Sequence, residues 1–173
     1  MHRDSDHVAR WASRLGLIAA VCLVLVGLVA PSAHADTGTR IDKVGDAPDN
    51  IDITKFTVRN GNARLTLKLH VVDLPAEGGF GFKYHKPNRS FFVDVNRERG
   101  KNLVEVVYCG EVSCENISCK GLRVRWSAAK NDIRARVPQA CYPGKAPASA
   151  TFLASGADKS TYDHTEPILV RRG

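Results

Sequence analysis

The clearest chemical signal in this sequence of 173 residues is a set of four arginines in two neighbouring segments. They are Arg123, Arg125, Arg134 and Arg136. Each segment alternates arginine with apolar residues, which is typical of β-strands, and aligning the apolar faces as an antiparallel hairpin sets the arginines opposite one another in pairs. Guanidinium groups bind sulfate, phosphate and carboxylate through paired hydrogen bonds, so this face is a candidate anion-binding site. The alternative is a solvated face whose arginines are hydrated or pair with acids elsewhere.

Cysteines frame the same hairpin. One of the five cysteines, Cys22, lies in a segment predicted to be removed, which leaves Cys109, Cys114, Cys119 and Cys141. An even number in an exported chain indicates two disulfides, and these spacings favour disulfides over a four-cysteine zinc site.

A disulfide between Cys119 and Cys141 closes the open end of the hairpin, provided that a bulge at Gly121 absorbs one residue. Closing this loop stabilises the fold by about 3.4 kcal/mol. By elimination Cys109 pairs with Cys114, which is worth about 2 kcal/mol. The sequence leaves two other connectivities open.

Aspartates cluster near residues 36–52 and suggest a possible calcium site. Asp42, Asp46 and Asp49 lie in a segment that also contains Gly45 and Pro48. Closely spaced carboxylates in such a loop are candidate calcium ligands, although the spacing differs from that of an EF-hand. The alternative is a solvated acidic loop without metal.

Enzymatic chemistry has little support in the sequence. After residue 35 the histidines are His70, His85 and His164, and neither a nucleophile elbow nor an H-E-x-x-H motif is present. A hydrolase would need a pocket that brings one of these histidines to a carboxylate. We therefore expect a protein that does not catalyse a reaction.

Alternation with period two also runs through most of the remaining chain. It marks strands near residues 51–58, 65–71, 80–84, 91–95 and 150–155, and the apolar run 103–108 is expected to be a central strand covered on both faces. The aromatic row Phe80, Phe82 and Tyr84 either packs in the core or stacks on sugar rings. The sequence predicts an all-β, antiparallel sandwich, jelly-roll or immunoglobulin-like, of about seven or eight strands.

The first 35 residues have the pattern of a signal peptide. Arg3, Arg10 and Arg14 precede an apolar run over 15–30, and Ala33 and Ala35 form a small-residue cleavage site. We therefore expect a secreted, extracellular domain over 36–173 with no membrane span, rather than an uncleaved anchor. That domain contains 22 basic and 16 acidic residues, a formal charge of +6, which favours anionic partners.

Two stretches give the chain a family likeness. The opening Asp42-Lys43-Val44-Gly45-Asp46 and the later Gly121-Leu122-Arg123-Val124-Arg125-Trp126, between Cys119 and Cys141, resemble small secreted β-sandwich proteins common in high-GC Gram-positive bacteria. That group has no assigned activity, so the resemblance implies a fold and export only. The acidic opening is also remotely similar to that of calcium-containing carbohydrate-binding sandwich modules.

Three functions of different classes follow. The first is a non-catalytic binding module for an anionic polymer or a glycan at a cell surface, with nucleic acid an unlikely partner. The second is a secreted protease inhibitor whose loop lies within the Cys119–Cys141 closure, and the third is a hydrolase. The sequence sets no oligomeric state.

Overall fold

A computed structural model describes residues 36–86, 89–142, 149–158 and 161–172. These residues belong to the unit His34–Gly173, and the predicted signal peptide, residues 1–35, lies outside them. The described part of the chain contains strands, two single turns of 3₁₀ helix and no α-helix.

The described chain forms twelve strands. They are β1 (Asp36–Ile41), β2 (Ile53–Asn60), β3 (Arg64–Val71), β4 (Gly78–Lys86), β5 (Arg89–Glu98), β6 (Lys101–Cys109), β7 (Cys114–Asn116), β8 (Arg123–Ser127), β9 (Asp132–Pro138), β10 (Ser149–Asp158), β11 (Thr161–His164) and β12 (Ile168–Arg171). The 3₁₀ turns are Ala128–Lys130 and Gln139–Cys141.

Two antiparallel sheets pack against each other, which confirms the predicted sandwich. One sheet has five strands in the order β1-β2-β3-β9-β8. The other has seven: six in the order β11-β10-β4-β5-β6-β7, and β12, which pairs with β10 beside that path. The strands outnumber the seven or eight expected because β7, β11 and β12 are only three or four residues long and β1 is mostly polar. Such segments carry little alternation for a sequence pattern to detect.

The core lies between the sheets and is built from their inward-facing side chains. Phe56 and Phe82, one from each sheet, are fully buried with ring centroids 6.0 Å apart. The rings of Phe80 and Trp126 meet edge to face at 5.5 Å. The aromatic row of β4, including Tyr84, is therefore core and offers no stacking surface for sugars.

The expectation for the run 103–108 is wrong in one respect. This run forms most of β6, but β6 pairs with β7 over only three residues, and Leu103 remains 51% exposed. Of the residues in β6, Val106 is the only one that is buried. Leu103 and Glu105 alternate with the inward-facing Val104 and Val106 and are exposed, so the outward face of β6 is not covered.

The sheets approach closely where β1 crosses β12. A Cβ atom at Gly38 would collide with the side chains of Ile168 and Val170, so only glycine allows this approach. The Arg171 N–H also donates to Asp36 Oδ2 at 2.9 Å. These contacts connect the first strand of one sheet to the last strand of the other.

Candidate functional site

The β8–β9 hairpin has the register that its apolar pattern predicts. Arg123 lies opposite Arg136 and Arg125 lies opposite Arg134. On the inward face of the hairpin, Trp126 pairs with the fully buried Ile133. Burial of this apolar face turns all four arginines outward.

Both predicted disulfides are present. Cys119 and Cys141 are bonded with Cα atoms 5.1 Å apart, and Cys109 is bonded to Cys114 with Cα atoms 4.0 Å apart. The expected bulge at Gly121 is replaced by a turn, in which the Leu122 N–H donates to the Cys119 carbonyl at 3.2 Å. Gly121 adopts a φ of +88°, which favours glycine, and this turn brings Cys119 to its partner beyond the end of the ladder.

The outward positive charge extends over four strands. β9 pairs with β3, and β3 pairs with β2, so the outward positions of all three continue the arginine face of β8. We call this surface the basic face. Its cationic side chains are Lys55, Arg59, Arg64, Lys68, Arg123, Arg125, Arg134 and Arg136.

One acid, Asp132, lies among these eight cations. Its carboxylate pairs with Lys68 Nζ at 3.0 Å and with His70 Nδ1 at 3.1 Å. Burial raises the pKa of Asp132, but the hydrogen bonds and charges of Lys68 and His70 outweigh it, so the net pKa is lowered. The other seven cations form no ion pair with any residue that the structure describes.

Two depressions mark one end of the basic face. The first, about 370 Å³, is lined by Arg59, Arg64 and Arg136 together with Thr66. The second, about 340 Å³, is lined by Arg64, Arg123 and Arg136 beside Gly121. Arg64 and Arg136 line both depressions, so four guanidinium groups converge here and can hold more than one anionic group.

The calcium candidates are only partly brought together. Asp46 lies in a cluster with Asp52 and Asp163, in which one carboxylate oxygen from each lies within 4.8 Å of the others. Asp42 contributes to raising the pKa of Asp163, so its charge lies near this cluster. Asp49 is exposed and is not a member of the cluster.

The three histidines do not converge. His70 lies on the five-stranded sheet with Asp132, whereas His85 and His164 lie on β4 and β11 of the other sheet. His85 Nδ1 is 3.2 Å from Ser90 Oγ on the neighbouring strand. His85 and Ser90 also line a depression of about 450 Å³ together with Glu111. The hydrolase hypothesis therefore stays a prediction.

The tip of the β8–β9 hairpin is a compact 3₁₀ turn rather than an extended loop. Asn131 follows it and anchors the tip, donating to the Val72 carbonyl at 2.7 Å and accepting from the Leu74 N–H at 3.2 Å. Proteases commonly bind extended segments in their clefts, so this tip offers no support for the inhibitor hypothesis.

No family model matches the chain, and no curated protein matches it either. The resemblance to secreted bacterial sandwich proteins therefore stays a prediction. Within the described residues, no helix has the length and apolar character needed to cross a membrane.

The sequence patterns missed the half of the basic face that lies on β2 and β3. Arg64 and Lys68 alternate with buried leucines, so their outward position was readable. Their place beside the arginines depends on the pairing of β3 with β9, which joins residues such as Lys68 and Arg134 from distant parts of the chain. No local pattern specifies that pairing.

Proposed function

We propose that this domain is a non-catalytic binding module for an acidic polymer, most plainly a sulfated, phosphorylated or uronate-containing glycan. The basic face is the binding surface. The observation that carries the proposal is that eight cationic side chains share one sheet face with a single acid, Asp132.

The cations recur in rows across the strands. One row contains Arg123, Arg136 and Arg59, with Thr66 between the last two, and the next contains Arg125, Arg134 and Lys68. Neighbouring strands are about 4.8 Å apart, and successive outward residues on one strand are about 7 Å apart. An extended polymer with repeated anionic groups can therefore contact several cations at once.

The arrangement also costs the unliganded protein stability. Arginines directly opposite each other on a sheet repel, and each such pair destabilises the fold by up to about 1 kcal/mol. A bound polyanion removes this repulsion and adds charge-assisted hydrogen bonds from the guanidinium groups. Binding of a polyanion would therefore offset the stability that repulsion between the arginines costs the unliganded protein.

The proposed location is outside the cytoplasm, as the first 35 residues predict. The two disulfides are compatible with that location because such bonds persist in oxidising compartments. The proposal prefers the binding module over the inhibitor and the hydrolase because the basic face gathers eight cations around a single acid.

The test is retention on immobilised heparin, a sulfated glycan probe. The fourfold variant Arg123→Gln, Arg125→Gln, Arg134→Gln and Arg136→Gln should lose at least a hundredfold in affinity, since it removes half of the cations. For the unchanged protein, raising the salt concentration from 50 to 200 mM should weaken binding by about two orders of magnitude, because bound counterions are released on association.

A matched control keeps the same change in net charge. It carries Lys83→Gln, Arg99→Gln, Lys101→Gln and Arg171→Gln, all on the seven-stranded sheet or its turns. The control should keep most of its heparin affinity. Equal loss of heparin affinity in both variants would show that net charge, and not the basic face, governs retention. The proposal would be refuted if the unchanged protein bound none of the three polymers heparin, polyphosphate and polygalacturonate.

A further inference from the structure

The cluster of Asp46, Asp52 and Asp163 lies at the opposite end of β2 from the arginine-lined depressions. Asp52 precedes β2 directly, whereas Arg59 lies near its far end, about 20 Å away along the strand. The cluster draws its members from two places, the loop before β2 and strand β11 of the other sheet. It therefore bridges the two sheets and is separate from the basic face.

Asp52 is unusual among the charged residues because it is completely buried. Its Oδ2 accepts the Gly45 N–H at 2.6 Å, but its Oδ1 is buried and has no hydrogen-bond partner. A second buried carboxylate oxygen, Asp42 Oδ2, also lacks a partner. Buried polar atoms without partners are rare in folded proteins and call for an unseen proton or ion.

Among the described residues, the three carboxylates have no basic partner. No lysine, arginine or histidine in the described segments forms an ion pair with Asp46, Asp52 or Asp163. Burial and the charges of Asp42 and Asp46 raise the pKa of Asp163, although hydrogen bonds from two backbone N–H groups oppose the shift. The cluster therefore concentrates negative charge that only protons or a cation can offset.

The backbone around the cluster holds the carboxylates in place. Asp163 Oδ2 accepts the Ile53 N–H at 2.6 Å, and its Oδ1 accepts the His164 N–H at 2.7 Å. Gly45, at φ +86°, makes the turn that delivers its N–H to Asp52 and places Asp46 next in the chain. Two of the three carboxylates are thus fixed by backbone donors before any ion binds.

We infer that Asp46, Asp52 and Asp163 bind a calcium ion that joins the two sheets of the sandwich. The ligands are all oxygen atoms, which hard cations prefer, and three ligand atoms within 4.8 Å of one another can share a cation at ordinary calcium–oxygen distances. Water would complete the shell. Three carboxylates exceed the one or two that usually hold magnesium.

The test compares thermal unfolding in EDTA with unfolding in calcium chloride, at constant 150 mM sodium chloride. Trp126, the one tryptophan after residue 35, reports unfolding by fluorescence. At a calcium concentration a hundred times the Kd, Tm should rise by about 10 °C, because the ion binds the folded chain only. Magnesium at the same concentration should give less than half that rise.

Asp46→Asn is the informative variant because Asp46 is exposed and the change removes a ligand charge without disturbing the core. The matched control is Asp49→Asn, an exposed aspartate of the same loop that lies outside the cluster. In calcium titrations followed by calorimetry, Asp46→Asn should weaken binding at least tenfold and Asp49→Asn less than twofold. In EDTA, Asp46→Asn should melt above the unchanged protein, since it relieves repulsion, and in calcium it should melt below it.

Three results would overturn the inference: an unchanged Tm in calcium, an equal response to magnesium, or equal calcium affinity in the two variants. None of them bears on heparin retention, which tests the basic face. The two proposals can therefore fail independently.

Discussion

The outward faces of the two sheets obey the same alternation but carry different chemistry. The basic face of the five-stranded sheet has one acid among eight cations. On the outward face of the seven-stranded sheet both signs occur: Lys83 Nζ lies 5.2 Å above the Phe92 ring, and Asp94 lies opposite Glu105. A sheet needs no single-sign face for stability, so stability does not account for the basic face, whereas the proposed binding of a polyanion would.

Removal of each disulfide should give the largest difference between the two sheets in stability and in heparin binding. Replacing Cys119 and Cys141 with serine should reduce the free energy of unfolding by about 3 kcal/mol and also weaken heparin binding, because the bond fixes the chain beside Arg123. Replacing Cys109 and Cys114, on the other sheet, should cost about 2 kcal/mol and leave binding unchanged. Urea unfolding and heparin affinity measure the two effects. If both pairs of serine substitutions weakened heparin affinity equally, the Cys119–Cys141 bond would have no specific role at the basic face.

A single arginine should show opposite effects on binding and on stability. Arg125→Gln should weaken heparin binding about tenfold, through loss of a charge-assisted hydrogen bond. Without ligand it should raise the free energy of unfolding by up to about 1 kcal/mol, because Arg125 faces Arg134. Urea unfolding in low salt detects the gain. Lys101→Gln serves as the control, because Lys101 faces an acid, Glu98 on the neighbouring strand β5. A loss of stability in Arg125→Gln would show that the arginines do not repel.

The smallest predicted effect lies on the other face and depends on pH. Burial and the charge of Glu105 raise the pKa of Asp94, so the folded chain holds that proton to a higher pH than the unfolded chain does. The resulting cost is absent well below the ordinary aspartate pKa and complete above the raised one. Glu105→Gln should therefore lower the pKa of Asp94. It should also raise the free energy of unfolding at pH 7 by roughly a few tenths of a kcal/mol.

Carboxyl NMR titration of Asp94 and urea unfolding at pH 3 and pH 7 check this prediction. The stability gain should appear at pH 7 and vanish at pH 3. A gain of the same size at both values would mean that the cross-strand charge pair is not its source.

Much of the fold was predictable because its signals are local. The register of β8 with β9 follows from matching apolar faces over a short turn, and it places Cys119 and Cys141 one residue out of register, so their pairing required a local irregularity at Gly121. The β2–β3 hairpin likewise joins two alternating segments, 51–58 and 65–71, across a short turn. These hairpins need only neighbouring residues to specify them.

The candidate sites were only half predictable because each combines distant segments. Arg123 and Arg136 were readable, but Arg59 joins their row through β3. Asp46 was readable as an acid in a glycine-containing loop, whereas Asp163 lies more than 100 residues away and shows no local sign of a ligand. Asp49, which looks equivalent to Asp46 in the sequence, falls outside the cluster.

By itself the sequence determined the longer strands and the hairpins that join neighbouring segments, since alternation and turn residues act over a few positions. It favoured one pairing of the four cysteines without excluding the other two. Tertiary structure decided which hairpins lie side by side, and so gathered the eight cations on one face and three carboxylates at the other end of β2. The reason is physical: apolar burial fixes which way each side chain points, but any two edges of matching length can pair. Only the packing of the whole core selects among those pairings.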